Sequence, residues 1–278
     1  MLFRSICKEA KRGVVFVGLL NQRFMKISVY DSRDSMGLAA ALAAGEILKK
    51  LLQEHKEVNV VFAAAPSQNE FLDALSKIQD IEWHRINAFH LDEYIGLPSD
   101  AVQRFSRYLD ERIFKRVPFK TVNYVIPVGM ENEDPEKLAA RYEQLLKEHP
   151  LHLACIGIGE NGHIAFNEPS VADFDDPYLV KVVELEEKSR QQQVNDGCFE
   201  RLDDVPTHAL TLTIPAIMNA QYIVCVVPGE RKKEAVFKTL EGAVTPECPA
   251  SVLRRHRAVH MFLDIESSSL LLKKGVNG

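Results

Sequence analysis

Short apolar runs alternate with longer segments whose apolar positions recur at helical spacing along most of this chain. Met25–Tyr30 alternates like a strand, and Asp34 to about His55 is rich in Ala, Leu and Lys at helical spacing. Val58–Ala64 is a β-branched apolar run that Pro66 stops. Ser67-Gln-Asn-Glu70 has the form of a capping box and predicts a helix through Ile78. Arg85–Leu91 predicts a strand, Asp92–Pro98 a loop, Gln103–Phe114 a helix and Thr121–Ile126 a strand. Pro135–His149 then predicts a helix and Leu151–Ile158 a buried strand. The stretch 159–178 is rich in Gly, Pro and polar residues and predicts a loop. Leu179–Leu185, Ala209–Ile214, Gln221–Val227 and Arg257–Asp264 complete the strands. Glu230–Glu241 and Ile265–Lys274 complete the helices.

Strands that alternate with helices predict an α/β fold, a three-layer α/β/α arrangement with a mostly parallel central sheet. No repeat, low-complexity linker or composition break divides the chain, so residues 25–278 read as one domain. Residues 1–24 read as an N-terminal extension. Lys11-Arg12 followed by Gly13–Leu20 mimics a short signal peptide, but Asn21-Gln-Arg-Phe offers no small-residue cleavage site and Glu9 lies among the basic residues. The first strand begins at Met25, which reads as a second start.

Composition narrows the classes. In 278 residues, 46% are hydrophobic and 26% charged, which excludes a disordered chain, a collagen-like fibre and a small disulfide scaffold. Thirty-four basic and 39 acidic residues give a net charge of -5. That is the wrong sign for a duplex nucleic-acid binder, so no nucleic-acid partner is expected. No apolar run reaches the ~18 residues of a membrane span, so no membrane partner is expected either. Cys7, Cys155, Cys198, Cys225 and Cys248 form no CxxC pair and no metal-ligand spacing. A reducing, cytoplasmic setting and no bound metal fit them best.

In a parallel sheet, ligands bind outside the carboxyl ends of the strands. Four segments fall there: Ala65-Pro-Ser67, Asp92-Glu93-Tyr94, Gly159-Glu-Asn161-Gly162-His163 through Glu168, and Gly229-Glu-Arg-Lys232. Carboxylates, one His and two helix starts make up an acid/base site for a phosphorylated small molecule. Gly157-Ile-Gly159-Glu-Asn-Gly162 also satisfies the dinucleotide fingerprint G-x-G-x-x-G. That reading requires a helix to start there, and residues 163–178 carry Pro169, Pro177 and no apolar helical stripe.

Phe89-His-Leu-Asp-Glu-Tyr-Ile-Gly-Leu-Pro98 and Gly157-Ile-Gly-Glu-Asn-Gly-His-Ile-Ala-Phe-Asn-Glu-Pro169 resemble the two signature segments of the glucosamine-6-phosphate deaminase/isomerase family, which is related to the 6-phosphogluconolactonases. Pro206–Thr211, Val227–Lys232 and Pro249–His256 add to the similarity, in the family's order. The resemblance implies a Rossmann-like fold and a reaction without metal, nucleotide or other cofactor: sugar-ring opening, aldose–ketose isomerisation and ammonia release. It also implies a phosphorylated amino sugar as partner, and is compatible with a homo-oligomer. Asp92 matches the base that moves a proton between C2 and C1, His163 the group that assists ring opening at O5, and Glu168 the acid that orients that His. Lys232 matches a phosphate-binding lysine, and Gly162, Glu93 and Ser67 fall in the matching segments.

Three departures qualify that match. Asn161 stands where the family has Asp, so the His163 neighbour can orient but cannot supply charge. The family's Gly- and Thr-rich phosphate loop reads Ala63-Ala-Ala-Pro-Ser67 here, and Ser67 either supplies a hydroxyl or caps its helix. The family's variable-segment arginine has only Arg190 as a candidate. Two alternatives stay open: an isomerase or hydrolase on a related sugar phosphate, and a non-catalytic sugar-phosphate sensor. The short stretch before Met25 cannot hold a helix-turn-helix module, which disfavours a fused regulator.

Overall fold

A computed structural model describes residues 14–15 and 25–276. The central sheet has the order β1-β2-β11-β10-β7-β3-β4-β6. Its members are β1 (Val14–Val15), β2 (Met25–Tyr30), β3 (Val58–Phe62), β4 (Ile86–His90), β6 (Thr121–Asn123), β7 (Leu153–Ile156), β10 (Tyr222–Val227) and β11 (Val259–Asp264). All neighbours pair in parallel except β1, which runs antiparallel along the edge of β2. The α/β class with a mostly parallel sheet is therefore as expected. Of the N-terminal extension, only Val14–Val15 falls within the described residues.

Alternation along each strand divides the core into two layers. Val60, Phe62, Val224, Val226 and Phe262 face one layer, with Met36, Ala40, Ala44, Leu48 and Leu51 of α1 (Arg33–Glu54) and Phe71, Leu72 and Leu75 of α2 (Asn69–Leu75). Val61, Ile223, Cys225, Met261 and Leu263 face the other, with Leu138, Tyr142 and Leu146 of α4 (Pro135–Glu148) and Ala235, Val236 and Leu240 of α7 (Lys233–Glu241). Burial on both faces is why β3 and β7 carry no exposed residue at all. Among the described residues no helix is long and apolar enough to cross a membrane.

Several boundaries differ from the expectation. The residues after β4 do not form a loop. Leu91 joins the two sheets, donating to Phe62 of β3 and accepting from Leu212, and Asp92–Tyr94 then forms β5. This strand pairs antiparallel with β9 (His208–Leu212), and β9 with β8 (Val180–Glu184), in a second, three-stranded sheet. The predicted helix 103–114 is a short α3 (Phe105–Leu109) that widens into a π turn over Asp110–Phe114. An unpredicted helix, α5 (Glu187–Asn195), follows β8. Val194 is its one apolar residue, and Ser189 and Gln192 are its buried positions, so no apolar stripe announces it. The short α6 (Ile214–Met218) follows β9, and α8 (Ser269–Val276) starts later than expected, after a turn at 265–268 held by Asp264.

The α1–α2 packing turns on Gly37. A Cβ there would lie 2.5 Å from Glu70 Cβ and 2.8 Å from the Glu70 carbonyl carbon. At an open helix position Gly→Ala gains roughly 1 kcal/mol. Here overpacking of about 1–3 kcal/mol opposes it. Gly37→Ala should therefore lower the thermal midpoint, and an unchanged or raised midpoint would show that the helix pair can open to admit a methyl group.

Candidate active site

A cleft of about 540 Å³, including its open mouth, lies at the carboxyl edge of the central sheet. Its walls are the segments after β3 (Ala63–Ala65, Ser67, Gln68), β4 (Leu91, Asp92), β7 (Gly157–Gly159, His163) and β10 (Lys232), closed by Gln192 and Gln193 of α5. From β3 the chain proceeds outward through β4 and β6, and from β7 it proceeds the other way through β10 and β11. The cleft thus sits at the switch point of the sheet, where the crevice between diverging connections opens.

Asp92 is placed by β5, opposite Thr211 of β9. It is 7% exposed, and burial, then the neighbouring Glu93, raise its carboxyl well above the usual range. His90 supports this corner. Val125 N–H donates to His90 Nε2 at 2.9 Å, so Nδ1 carries the proton and donates to the Asp92 carbonyl at 2.9 Å.

The tautomer of His163 is fixed in the same way. The backbone N–H of His163 donates to Asn161 Oδ1 at 3.1 Å, which marks that atom as the oxygen of the amide. His163 Nδ1 lies 2.7 Å from the same oxygen and must therefore be the protonated nitrogen. Nε2 keeps the free lone pair. Burial, then the positive charge of Lys232, push the imidazole down to about 3, so it is neutral at pH 7. The ring lies flat on Gly159, where a Cβ would stand 2.1 Å from Cε1. Ala165, two residues on, holds φ +51, a strained value for a residue with a Cβ, and also lines the cleft.

Glu168 does not orient His163 directly, because Asn161 occupies Nδ1. Its fully buried carboxylate accepts from Glu186 N at 2.7 Å, at the start of α5. The Ser189 hydroxyl stands between the two residues, 3.5 Å from His163 Nδ1 and facing Glu168. Burial raises the Glu168 carboxyl, and Ser189 and the Glu186 N–H offset part of the rise.

Lys232 also lines the cleft, and no ion pair among the described residues involves it. Burial, only partly offset by the charges of Glu160 and Asp196, lowers its ammonium to about 8. Ser67 lines the cleft from the one-turn 3₁₀ segment Pro66–Gln68. It does not cap α2, whose first turn receives no side-chain bond, so the capping-box reading fails.

Besides Asn161 and Glu168, which reach the cleft only through His163 and α5, three expected site residues lie away from its walls. Glu93 is fully buried and accepts from the N–H groups of Phe105 at 3.0 Å and Ser106 at 2.9 Å, anchoring the start of α3. Arg190 spends its guanidinium on the carbonyls of Leu202 and Val205, at 2.7 and 2.9 Å, and so binds a loop rather than the cleft. Gly162 adopts φ +89 and packs against Cys248. Gln68, Gln192 and Gln193 line the cleft without having been singled out, since neither segment has a distinctive pattern. No helix starts at Gly162, as the dinucleotide reading would need.

The whole chain was also compared with known proteins. The family profile for glucosamine-6-phosphate isomerases/6-phosphogluconolactonase matches residues 31–262. A glucosamine-6-phosphate deaminase from Listeria monocytogenes serotype 4a is 40% identical over 234 residues, 84% of this chain and 96% of its own. One from Bacillus cereus is 41% identical over 190 residues, 68% of this chain and 70% of its own. Among solved structures, a monomeric glucosamine-6-phosphate deaminase superposes with a TM-score of 0.78 at 28% identity, covering 89% of this chain and 99% of its own. A 6-phosphogluconolactonase from Thermotoga maritima shares the fold, with a TM-score of 0.69 at 21% identity over 86% of this chain and 99% of its own. A family profile matched over residues 31–262 and a relative 40% identical over 84% of the chain lead to one conclusion: this chain belongs to the glucosamine-6-phosphate isomerase/6-phosphogluconolactonase family of enzymes.

Proposed function

We propose that this protein converts glucosamine 6-phosphate and water to a ketose phosphate and ammonia. The carrying observation is one cleft that holds a desolvated carboxyl, a neutral imidazole of fixed tautomer and an ammonium without an ion pair. In this reading the phosphate rests between the turn at Ser67 and Lys232. His163 Nε2 takes a proton from the sugar and returns it at the ring oxygen, which opens the ring. Asp92 then moves the proton from C2 to C1, a task for which burial supplies the basicity, and the C2 iminium so formed adds water and expels ammonia to leave the ketone. Asn161 holds His163, and Glu168 acts at a distance, by seating α5 and Ser189. The deaminases from Listeria and Bacillus, similar over most of this chain, support the substrate. The cysteine usage supports a cytoplasmic setting. Asn161 favours a second reading, in which a sugar phosphate with a more readily opened ring is the substrate.

Asp92→Asn should abolish transfer of the C2 proton and lower turnover by about 10²- to 10⁴-fold, while ligand binding persists. Solvent-deuterium incorporation into product measures this step, and undiminished incorporation would remove Asp92 from it.

Lys232 binds as a cation only below its depressed value of about 8, so KM for the phosphorylated substrate should rise as pH passes upward through that region. In Lys232→Arg the guanidinium stays charged and this alkaline rise should vanish. A rise of equal size in the variant would assign it to another group.

Asn161→Asp keeps both hydrogen bonds to His163 and adds a negative charge beside Nδ1. The imidazolium form should gain, moving the His163-dependent limb of the pH–rate profile to higher pH. A superimposable profile would uncouple position 161 from the imidazole.

A further inference from the structure

We infer that Gln68 is a positioning residue: it commits the Ser67 hydroxyl to donate into the cleft, toward an acceptor-only oxyanion. This rests on reading the cleft as a sugar-phosphate site and names the group that compensates for its alanine-rich loop.

Gln68 is 1% exposed and its amide is held from the nitrogen side. Nε2 donates at 3.1 Å to the carbonyl of Val226 in β10, and at 3.1 Å to Ser67 Oγ. Turning the amide over would set its oxygen against the Val226 carbonyl, so the orientation has no alternative. The amide oxygen, meanwhile, is buried without a donor. A buried acceptor left unpaired is costly and calls for an explanation. The amide keeps this orientation nonetheless, because both of its partners lie on the nitrogen side. Because Ser67 Oγ already accepts from Nε2, its own proton must go elsewhere. No described protein acceptor receives it, and Ser67 faces the cleft.

That proton matters because the neighbouring walls offer so little. Ala63, Ala64 and Ala65 contribute no polar side chain, and Ser67 carries the one hydroxyl among the described lining residues. Lys232 is the one lysine or arginine among them. A hydroxyl whose lone pair is engaged from behind is a donor aimed forward, the polarity that a phosphate oxygen requires. Gly157 makes the arrangement possible, since a Cβ there would stand 2.9 Å from Gln68 Nε2.

The test is a double-mutant cycle on the whole chain, with inorganic phosphate and glucosamine 6-phosphate binding read by calorimetry. Ser67→Ala and Gln68→Met should each weaken both ligands by about tenfold, the scale of one hydrogen bond to a charged group. The double variant should be no weaker than Ser67→Ala alone. Additive losses would overturn the inference, because Gln68 would then act independently of Ser67. Should Gln68→Met fail to fold, Gly157→Ala displaces the amide without changing its chemistry. It should weaken phosphate in the Ser67 background and leave affinity unchanged in the Ser67→Ala background. Lys232→Ala separates the two levels. If it alone abolishes phosphate binding while the Ser67 and Gln68 variants bind normally, the inference fails and the phosphate site stands. If phosphate binds equally to all variants, Lys232→Ala included, the site reading fails with it.

Discussion

A parallel sheet covered on both faces leaves polar chemistry one place to stand, the edge where its strands end. The central strands here obey that constraint closely. β3, β4 and β7 are buried along their whole length, and Ser67, Asp92 and His163 follow shortly after their ends. The direction change between β3 and β7 then decides which ends open to a ligand. Asp92 arrives there only because the chain crosses at Leu91 from the large sheet into the small one. The second sheet is therefore a bracket for the cleft as much as a structural addition.

Desolvation acts on all three ionisable walls of that cleft, and always against charge. It raises the Asp92 carboxyl, lowers the His163 imidazole to about 3 and lowers the Lys232 ammonium to about 8. The common outcome is a site whose resting groups carry less charge than their exposed counterparts. A dianionic ligand entering it meets few counterions already neutralising the wall. Other charged residues nearby are turned to the scaffold: Glu93 to the start of α3, Arg190 to a loop carbonyl pair, Glu168 to the Glu186 N–H just before α5.

The large sheet was legible because its central strands are short, nearly continuous apolar runs, several of them ended by Pro or Gly. The cleft was legible where a residue type is tied to position after a strand: Asp92, His163, Ser67 and Lys232 all line it. Legibility ended where side chains choose between site and scaffold. Glu93 lies beside Asp92 in sequence, but strand alternation sends the two side chains to opposite faces. Arg190 and Gln192 are two positions apart on α5, and only the latter points inward. No periodicity could have found α5, because its register is set by the Glu168 and Ser189 contacts rather than by an apolar face. The role expected of Glu168 also shifted, since a two-residue reach lets Asn161 take the imidazole nitrogen first.

The glycines between 157 and 162 invite comparison with a nucleotide-binding turn, yet each is held by a different side chain of this protein. The Gln68 amide fills the space above Gly157, the His163 ring covers Gly159, and Cys248 presses on Gly162. Mutational drift at these positions is consequently paired. Gly157 is free to gain a methyl group once residue 68 has shortened, and Gly159 once the imidazole is gone. Among descendants of this chain, substitutions at 157 and 68, and at 159 and 163, should be inherited together, whereas a phosphate-cradling turn would lose its glycines independently of any side chain.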